Sequence, residues 1–281
     1  MSDATSPLVE SVKIFICGTV RNCEPHLDAV FENIRSIATL FADARIIIAY
    51  DESSDKSLLK LSQYKREYGD KMEILLNRCD LSHIRTENIS NARNKLIERM
   101  RELSSEERPY FIMMDMDDVC SSRLNLDVLR RAFQCETQWD TISFNRENYY
   151  DIWALSIAPY IYSCWGWHGG QSIVDETRKY IIDKLANVPR GELFECRSAF
   201  NGFAIYKTDP FLKCAYDWLM PKQYMSFEEL QANHIAVNYR YTITNLYEQT
   251  DEPDCEHRAF HMEASAKYGA RIMISPECLF D

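Results

Sequence analysis

Residues 111–119 read FIMMDMDDV, four apolar side chains followed closely by three carboxylates. The apolar run predicts a buried β-strand, and alternation along such a strand places Asp115 and Asp117 on the same side of its carboxyl end. Carboxylates at this spacing can share a divalent cation or its waters. Because adjacent carboxylates repel one another, a metal site explains the cluster economically. The alternative is that these residues cap a helix that follows at Ser121.

Short apolar segments on either side of this strand predict an α/β fold. Strands are expected at 13–17, 45–50, 72–76, 110–114 and 141–145, and helices at 27–42, 55–68, 91–103 and 124–136. Strands that are apolar on both faces suit a doubly wound sheet covered by helices, which binds its ligand at the carboxyl ends of the strands. The second half predicts a helix at 175–185, a strand at 202–206 and a helix at 209–219. No stretch has the composition of an interdomain linker, so a single domain is expected.

Aromatic residues crowd the start of the second half, at Tyr149, Tyr150, Trp153, Tyr160, Tyr162, Trp165 and Trp167. Such a cluster suits a platform on which a sugar or a base stacks. It equally suits an aromatic core beneath long loops. Both interpretations stay open at this point.

The composition restricts the partners of the chain. Its 281 residues carry a net charge of −11, so it lacks the broad basic surface that nucleic acids require, and no nucleic-acid partner is expected. A small anionic ligand would need a bound cation or local basic residues. The first residues show no signal sequence, the ten cysteines include no C-x-x-C pair, and no apolar segment approaches the roughly 20 residues of a membrane span. The sequence therefore predicts a cytoplasmic protein with reduced thiols and no membrane span.

Two classes of enzyme place D-x-D after an apolar strand. In haloacid dehalogenase-like phosphatases the motif opens the domain, and a later strand that ends in paired acidic residues completes the metal site. Here the D-x-D motif begins at Asp115, after three β-α units, and no later apolar strand ends in paired aspartates. The phosphatase interpretation is therefore the less favoured alternative.

The motif and several further segments resemble the GT-A glycosyltransferases, whose DxD motif follows a mid-chain strand. These segments are IFICGTVRN at 14–22, AYDESSDK at 49–56, NARN at 91–94 and CEHRAFH at 255–261. The resemblance implies a GT-A fold, which is Rossmann-like with a doubly wound mixed sheet flanked by helices, in a single domain over residues 1–281. Residues 12–145 would form the nucleotide-binding half and residues 146–281 the acceptor-binding half.

The resemblance also implies roles for individual residues. Contacts to the nucleotide or the donor sugar are expected from Thr19, Arg21, Asp51, Ser53, Arg93, Asp115, Asn201, Gly202 and Arg258. Mn²⁺ or Mg²⁺ is expected at Asp117 and Asp115, with His257 as the preferred late ligand and His261 as the reserve. The spacing H-x-x-x-H is compatible with both imidazoles on one face of a helix.

The reaction implied by this resemblance moves a sugar from a nucleotide sugar to a glycan acceptor. An inverting enzyme needs a carboxylate base on the acceptor side. Glu195 is the preferred candidate because it lies just upstream of the segment expected to line the donor sugar, and Glu192, Asp175 and Asp209 are the other candidates. A catalytically silent nucleotide- or carbohydrate-binding module is the alternative from a different class.

The stretches YYDIWAL at 149–155 and FNGFAIYK at 200–207 resemble glycosyltransferases of large algal viruses, nearest to the chlorovirus xylosyltransferase type. That resemblance implies UDP-xylose as the donor and a glycan of a viral capsid glycoprotein as the acceptor. It also implies the host cytoplasm as the location. A UDP sugar is the broader expectation, because UDP is the commonest partner of a DxD glycosyltransferase.

Overall fold

A single mixed sheet organises the part of the chain that the structure describes. The computed structural model describes residues 10–77, 82–103, 107–161, 170–237 and 253–281. Within these ranges, eight strands form the sheet: β1 (Lys13–Val20), β2 (Asp43–Tyr50), β3 (Met72–Leu76), β4 (Tyr110–Asp115), β5 (Thr141–Asn145), β6 (Phe194–Cys196), β7 (Phe203–Lys207) and β8 (Ile272–Cys278). Their order is β3-β2-β1-β4-β7-β5-β8-β6, and only β6 and β7 run against the other described strands.

Helices connect the strands and cover both faces of the sheet. They are α1 (Leu27–Ala38), α2 (Ser57–Tyr68), α3 (Arg85–Glu102), α4 (Leu126–Gln134), α5 (Gly170–Ala186), α6 (Thr208–Phe211), α7 (Phe227–Ala236) and α8 (Glu256–Tyr268). The α/β fold with a mixed sheet flanked by helices is therefore confirmed.

Alternation along the central strands divides the core into two layers. In β1, Ile14 and Ile16 pack with α1 and α4 on one face, whereas Phe15 and Cys17 pack with α3 and α8 on the other. In β4, Ile112 and Met114 join the first layer, and Phe111 and Met113 join the second. Both faces of these strands are buried, which is why their sequences are apolar throughout.

The parallel pairing brings the functional segments to one edge of the sheet. Strands β1 and β4 pair so that Thr19 lies opposite Asp115, and β1 and β2 pair so that Val20 lies opposite Tyr50. The carboxyl ends of β1, β2 and β4 consequently meet. The loops that follow them face the start of α3.

Most predicted elements are present with shifted ends, and one is wrong. The five strands predicted in the first half are found, and α3 starts earlier than predicted, at Arg85. The predicted helix at 209–219 is reduced to Thr208–Phe211, inside which Asp209 has φ −97° and ψ 114°. Pro210 causes this difference, because a residue before proline is disfavoured in the helical region.

Three further observations bear on sequence-based expectations. The eight cysteines within the described ranges are free thiols. None of the described helices is both long and apolar enough to cross a membrane. Of the crowded aromatic residues, Tyr162, Trp165 and Trp167 lie outside the described residues.

Candidate active site

A cavity of about 320 Å³ lies at the carboxyl ends of β1, β2 and β4, beside the first turns of α3 and α8. It brings together seven of the predicted site residues: Thr19, Arg21, Asp51, Arg93, Asp115, Asp117 and His257. Tyr150 and Trp153 of the aromatic cluster also line it, together with side chains to which the sequence gave no role, among them Arg85, Asn88, Asp151, Phe200 and Glu256.

Asp115, the last residue of β4, is held from both sides of its carboxylate. Arg93 Nη2 donates to Oδ1 at 3.2 Å, and the hydroxyl of Tyr150 donates to Oδ2 at 2.8 Å. The backbone N–H of Asp115 donates to the carbonyl oxygen of Gly202 at 2.8 Å. These bonds fix the orientation of the carboxylate at the cavity.

Asp117 is less engaged than Asp115. Its Oδ1 accepts the N–H of Val119 at 3.2 Å, which caps the turn at 118–120. Burial, and after it the charge of Asp115, raises the pKa of the Asp117 carboxyl to about 6. A carboxylate that is partly desolvated next to a second carboxylate is stabilised by a cation between them.

The pair Asp115 and Asp117 suits a divalent cation whose remaining coordination positions are filled by a bound substrate and water. Within the described residues, no three His, Cys, Asp or Glu side chains converge to hold a metal ion. Mg²⁺ and similar ions commonly bind proteins through one or two carboxylates and take further oxygens from substrate phosphates and waters. Asp115 and Asp117 match that donor set.

Arg93 links three parts of the cavity wall. Only 4% of this residue is exposed. Its Nη1 donates to Glu256 and to Nε2 of His257 in the first turn of α8, and its guanidinium lies 4.8 Å from the centre of the Phe200 ring. Because a guanidinium only donates, His257 Nε2 is the acceptor, and the pKa of His257 is lowered well below its ordinary value by burial and by Arg93. As placed, His257 turns its acceptor nitrogen to Arg93 and not to the carboxylates, so Asp115 and Asp117 remain the candidate metal ligands of the cavity.

A polar network lies at the end of β2, on the side of the cavity away from α8. Asn77 donates to Oδ1 of Asp51 at 2.6 Å, and Lys95 donates to Asn77. Burial raises the pKa of Asp51. Ser53 does not line the cavity. Its hydroxyl accepts from the N–H of Asn22 at 3.0 Å and ties the β1 loop to the β2 loop.

Two arginines at the cavity are exposed. Arg21 follows β1, and Arg85 occupies the first position of α3. Neither forms a salt bridge with another residue in the part of the chain that the structure describes. They are therefore the basic groups that an anionic ligand can reach.

Four predicted contact or metal residues lie behind the cavity wall. Arg258 is fully buried and donates to Asp254 at 2.7 Å and to the carbonyl oxygens of Trp153, Leu155 and Ile161. His261 is also buried, between the hydroxyls of Ser198 and Tyr206 at 3.0 Å each. Asn201 and Gly202 form the turn before β7. None of these four side chains lines the cavity as placed.

The carboxylates predicted as the catalytic base lie away from the cavity. Glu195 is exposed in β6 and borders a second cavity of about 620 Å³. Asp175 pairs with Arg178 at 3.0 Å, Asp209 pairs with Lys213, and Glu192 is exposed. The cavity carboxylates that sequence reasoning missed are Asp151 and Glu256. Asp151 follows Tyr150 in the chain and Glu256 precedes His257. Their adjacency to these two residues, which the sequence had singled out, could have identified them.

The chain is similar in fold to solved structures of low sequence identity. S. aureus TarS 1-349 in complex with UDP is 13% identical, with a TM-score of 0.49 over 96% of this chain and 59% of that chain. The mannosyltransferase PcManGT from Pyrobaculum calidifontis, in complex with GDP-Man and Mn²⁺, is 9% identical, with a TM-score of 0.41 over 74% of this chain and 48% of that chain. Glucosyl-3-phosphoglycerate synthase from Mycobacterium tuberculosis, in complex with Mn²⁺, UDP and phosphoglyceric acid, is 9% identical, with a TM-score of 0.45 over 95% of this chain and 69% of that chain.

The chain spans 33% to 59% of the length of the TarS chains it matches. No protein-family model matches the sequence, and no curated protein matches it.

Proposed function

We propose that the protein is a metal-dependent glycosyltransferase that uses a nucleotide sugar. The observation that carries this proposal is the pair of carboxylates, Asp115 and Asp117, in a cavity at the carboxyl ends of parallel strands. In open α/β sheets this edge is the usual position for a nucleotide. The exposed cations Arg21 and Arg85 supply the local positive charge that an acidic chain needs to hold a diphosphate.

The cavity provides a separate group for each part of such a donor. Asp51, oriented by Asn77, can accept a hydrogen bond from the base or the ribose. Arg21, Arg85 and the first turn of α3 suit the diphosphate, because a helix N-terminus attracts anions. Asp117, with Asp115 beside it, would hold Mn²⁺ or Mg²⁺. When bound, this ion acts as a Lewis acid that offsets the charge growing on the leaving diphosphate.

The finer assignment rests on the sequence resemblance quoted above. It favours transfer of xylose from UDP-xylose to a glycan, in the synthesis of viral capsid glycoprotein glycans. Tyr150 and Trp153, which belong to a stretch that carries this resemblance, line the cavity. Aromatic faces of this kind stack against sugar rings, which agrees with a sugar substrate but selects no particular sugar.

The first experiment measures nucleotide release from UDP-xylose, UDP-glucose, UDP-GlcNAc and GDP-mannose, with Mn²⁺ and with chelator. We expect slow, metal-dependent hydrolysis of at least one donor. The variant Asp117→Asn should lower this rate at least about 100-fold, since it removes a charged ligand of the metal. Asp127→Asn, an exposed pair partner of Arg130 in α4, is the matched control and should keep the rate of the unaltered protein.

Three outcomes would contradict the proposal in whole or in part. Calorimetric binding of a donor without turnover on any acceptor would favour a binding module. Hydrolysis of p-nitrophenyl phosphate without release of nucleotide from any sugar donor would favour a phosphatase. Equal activity of the Asp117→Asn variant and the unaltered protein would remove the metal site from the proposal.

A further inference from the structure

The carboxylates that line the cavity differ in their hydrogen-bond and ion-pair partners within the protein. Five line it: Asp51, Asp115, Asp117, Asp151 and Glu256. Asp51 receives an amide from Asn77, and Asp115 receives Arg93 and Tyr150. Glu256 is buried and ion-paired with Arg93. Arg93 already donates to Asp115 and to Glu256, so fewer lone pairs of these two carboxylates are free to accept from a bound hydroxyl.

Asp51, Asp115 and Glu256 accept side-chain donors, and Asp117 is assigned to the metal in the function proposed above, whereas Asp151 accepts only backbone N–H groups within the described ranges. Its Oδ1 accepts the N–H of Ala154 at 3.0 Å, and its Oδ2 accepts the N–H of Asn201 at 3.3 Å. It forms no ion pair with any basic side chain in the described ranges. Two backbone N–H groups leave lone pairs on both oxygens for a further donor.

A constrained turn holds Asp151 in place. Asn201 and Gly202 have φ values of 54° and 87°, in the left-handed region that costs a side-chain-bearing residue about 1 kcal/mol or more. The side-chain oxygen of Asn201 also accepts the backbone N–H of Asp151 at 3.2 Å. The side-chain nitrogen of Asn201 donates to the carbonyl oxygen of Phe144 at 2.9 Å. Such strain is retained where the surrounding structure fixes a group in one position.

The neighbours of Asp151 place it on the side of the cavity that suits a sugar. Tyr150, the chain neighbour of Asp151, is 40% exposed, and its hydroxyl donates to Asp115 at the end of β4. Trp153 lines the same wall. Asp51 and Arg21 lie at the ends of β2 and β1, in the nucleotide-binding half of the cavity. An acceptor hydroxyl that approaches the donor sugar from the aromatic wall therefore meets Asp151.

We propose that Asp151 is the general base that deprotonates the acceptor hydroxyl, and that transfer therefore inverts the configuration at the anomeric carbon. This inference rests on the function proposed above. The acceptor oxygen forms a bond to the anomeric carbon while the bond from that carbon to the diphosphate breaks, and its electron pair leaves on the diphosphate oxygen. The hydroxyl proton passes to Asp151 and is later released to water.

The electrostatics of the cavity agree with this role. Burial raises the pKa of Asp151 to about 6, and the charges of Asp115 on β4 and Glu256 on α8 act in the same direction. The N–H groups of Ala154 and Asn201 oppose the rise. A base with a pKa near the working pH is mostly ionised and still binds a proton well enough to remove it.

The test compares Asp151→Asn with the unaltered protein, using the donor and acceptor found in the first experiment. We expect the rate of transfer to a hydroxyl acceptor to fall about 1,000-fold, within the 10²- to 10⁴-fold range of general base catalysis. The Kd for the nucleotide donor, measured by calorimetry, should stay within about two-fold. The matched control is Asp127→Asn, since Asp127 is exposed and paired only with Arg130 among the described residues.

Azide separates a base from a structural residue. Azide attacks the anomeric carbon without losing a proton, so Asp151→Asn should form the glycosyl azide at a rate within ten-fold of the unaltered protein. A variant that binds donor but reacts with neither azide nor a hydroxyl would show a structural role for Asp151. Asp151→Glu, which keeps a carboxylate but displaces it, should retain more hydroxyl transfer than Asp151→Asn.

The anomeric configuration of the product, read from its NMR coupling, gives an independent test. A product that retains the configuration of the donor would overturn the proposal. Loss of transfer in Glu195→Gln with full activity in Asp151→Asn would also overturn it, in favour of Glu195. If the unaltered protein cleaves no donor at all, the proposed function fails first, so the two failures are distinguishable.

Discussion

Arg258 and Asp254 form a fully buried ion pair beneath the candidate active site. The guanidinium of Arg258 has 0% exposure and donates to the carboxylate of Asp254 and to three carbonyl oxygens of the segment that carries Trp153. Since Trp153 lines the cavity, Arg258 supports the cavity wall from behind. Its charge is already satisfied within the protein.

Removal of Arg258 should therefore reduce stability strongly. We expect Arg258→Met to lower the free energy of unfolding by about 3–5 kcal/mol, because it leaves Asp254 buried without a counter-charge. The double variant Arg258→Met with Asp254→Asn should recover part of this loss, since the uncompensated charge is gone. Urea unfolding followed by circular dichroism measures both. A loss below about 1 kcal/mol in the single variant would show that water or another group replaces the guanidinium.

At this scale, sequence reasoning succeeds where chain spacing alone sets the position of a side chain. Asp115 and Asp117 follow one strand, so their convergence at its end was predictable. The environment of Arg258 was not, because three of its four acceptors belong to residues 153–161, about 100 positions earlier in the chain. A motif places an arginine on a helix, but only the packing of distant segments decides whether it faces the ligand or the core.

The turn between Phe200 and β7 is the element that sets the position of the end of β4. Gly202 has φ 87°, its carbonyl oxygen accepts the N–H of Asp115, and a Cβ at this position would overlap the side chain of Val119. The turn therefore requires glycine for two reasons, its backbone conformation and its close contact with the loop that follows Asp117.

Gly269 provides a matched control for this requirement. It ends α8 with φ 69°, and a Cβ there would have no neighbour within 4 Å. Gly269→Ala should lower the free energy of unfolding by about 1 kcal/mol, the cost of the left-handed conformation, whereas Gly202→Ala should cost about 3 kcal/mol because overpacking is added. Chemical denaturation measures the difference. Equal losses in the two variants would mean that Val119 moves aside without cost.

Strands and helices were predictable where residues close to them in the chain determine them. The buried strands of the first half follow from apolar runs, whereas α8 was not among the predicted helices, although the spacing of His257 and His261 was compatible with one. The predicted helix at 209–219 failed at Pro210, whose effect on the preceding residue is local and could have been weighed. Strand β6 is a short, partly exposed edge strand that pairs with β8, from a distant part of the chain, so no local pattern indicates it.

Over the whole molecule, the chain carries a net charge of −11, but two arginines are buried within the structure. Arg93 lies among Asp115 and Glu256 with His257 in contact, and Arg258 lies near His261. Burial, and after it the neighbouring cations, lowers the pKa of both histidines and so favours their neutral form. Our proposal assigns the diphosphate to Arg21 and Arg85, which are exposed at the cavity, because Arg93 and Arg258 are engaged within the protein.

The buried imidazoles should make the fold sensitive to acid, and His261 allows this effect to be isolated. Burial lowers the pKa of His261 to about 3, and the charges of Arg93 and Arg258 act in the same direction, whereas an imidazole in the unfolded chain titrates near 6.5. Between pH 6.5 and pH 3 the unfolded state therefore binds more protons at this residue than the folded state. Lowering the pH across that window stabilises the unfolded state, by about 2 kcal/mol from pH 6.5 to pH 5.

His261→Asn should be less stable than the unaltered protein at pH 7.5, because it disturbs the hydrogen bonds to Ser198 and Tyr206. The stability gap between the two proteins should narrow by about 2 kcal/mol at pH 5, since the variant has no imidazole to protonate on unfolding. Asp151 acts in the opposite direction below pH 6, because its carboxyl pKa is raised, but it is present in both proteins and cancels in the comparison. Urea unfolding at the two pH values measures the gap, and a gap that does not change with pH would show that His261 is already charged in the folded protein.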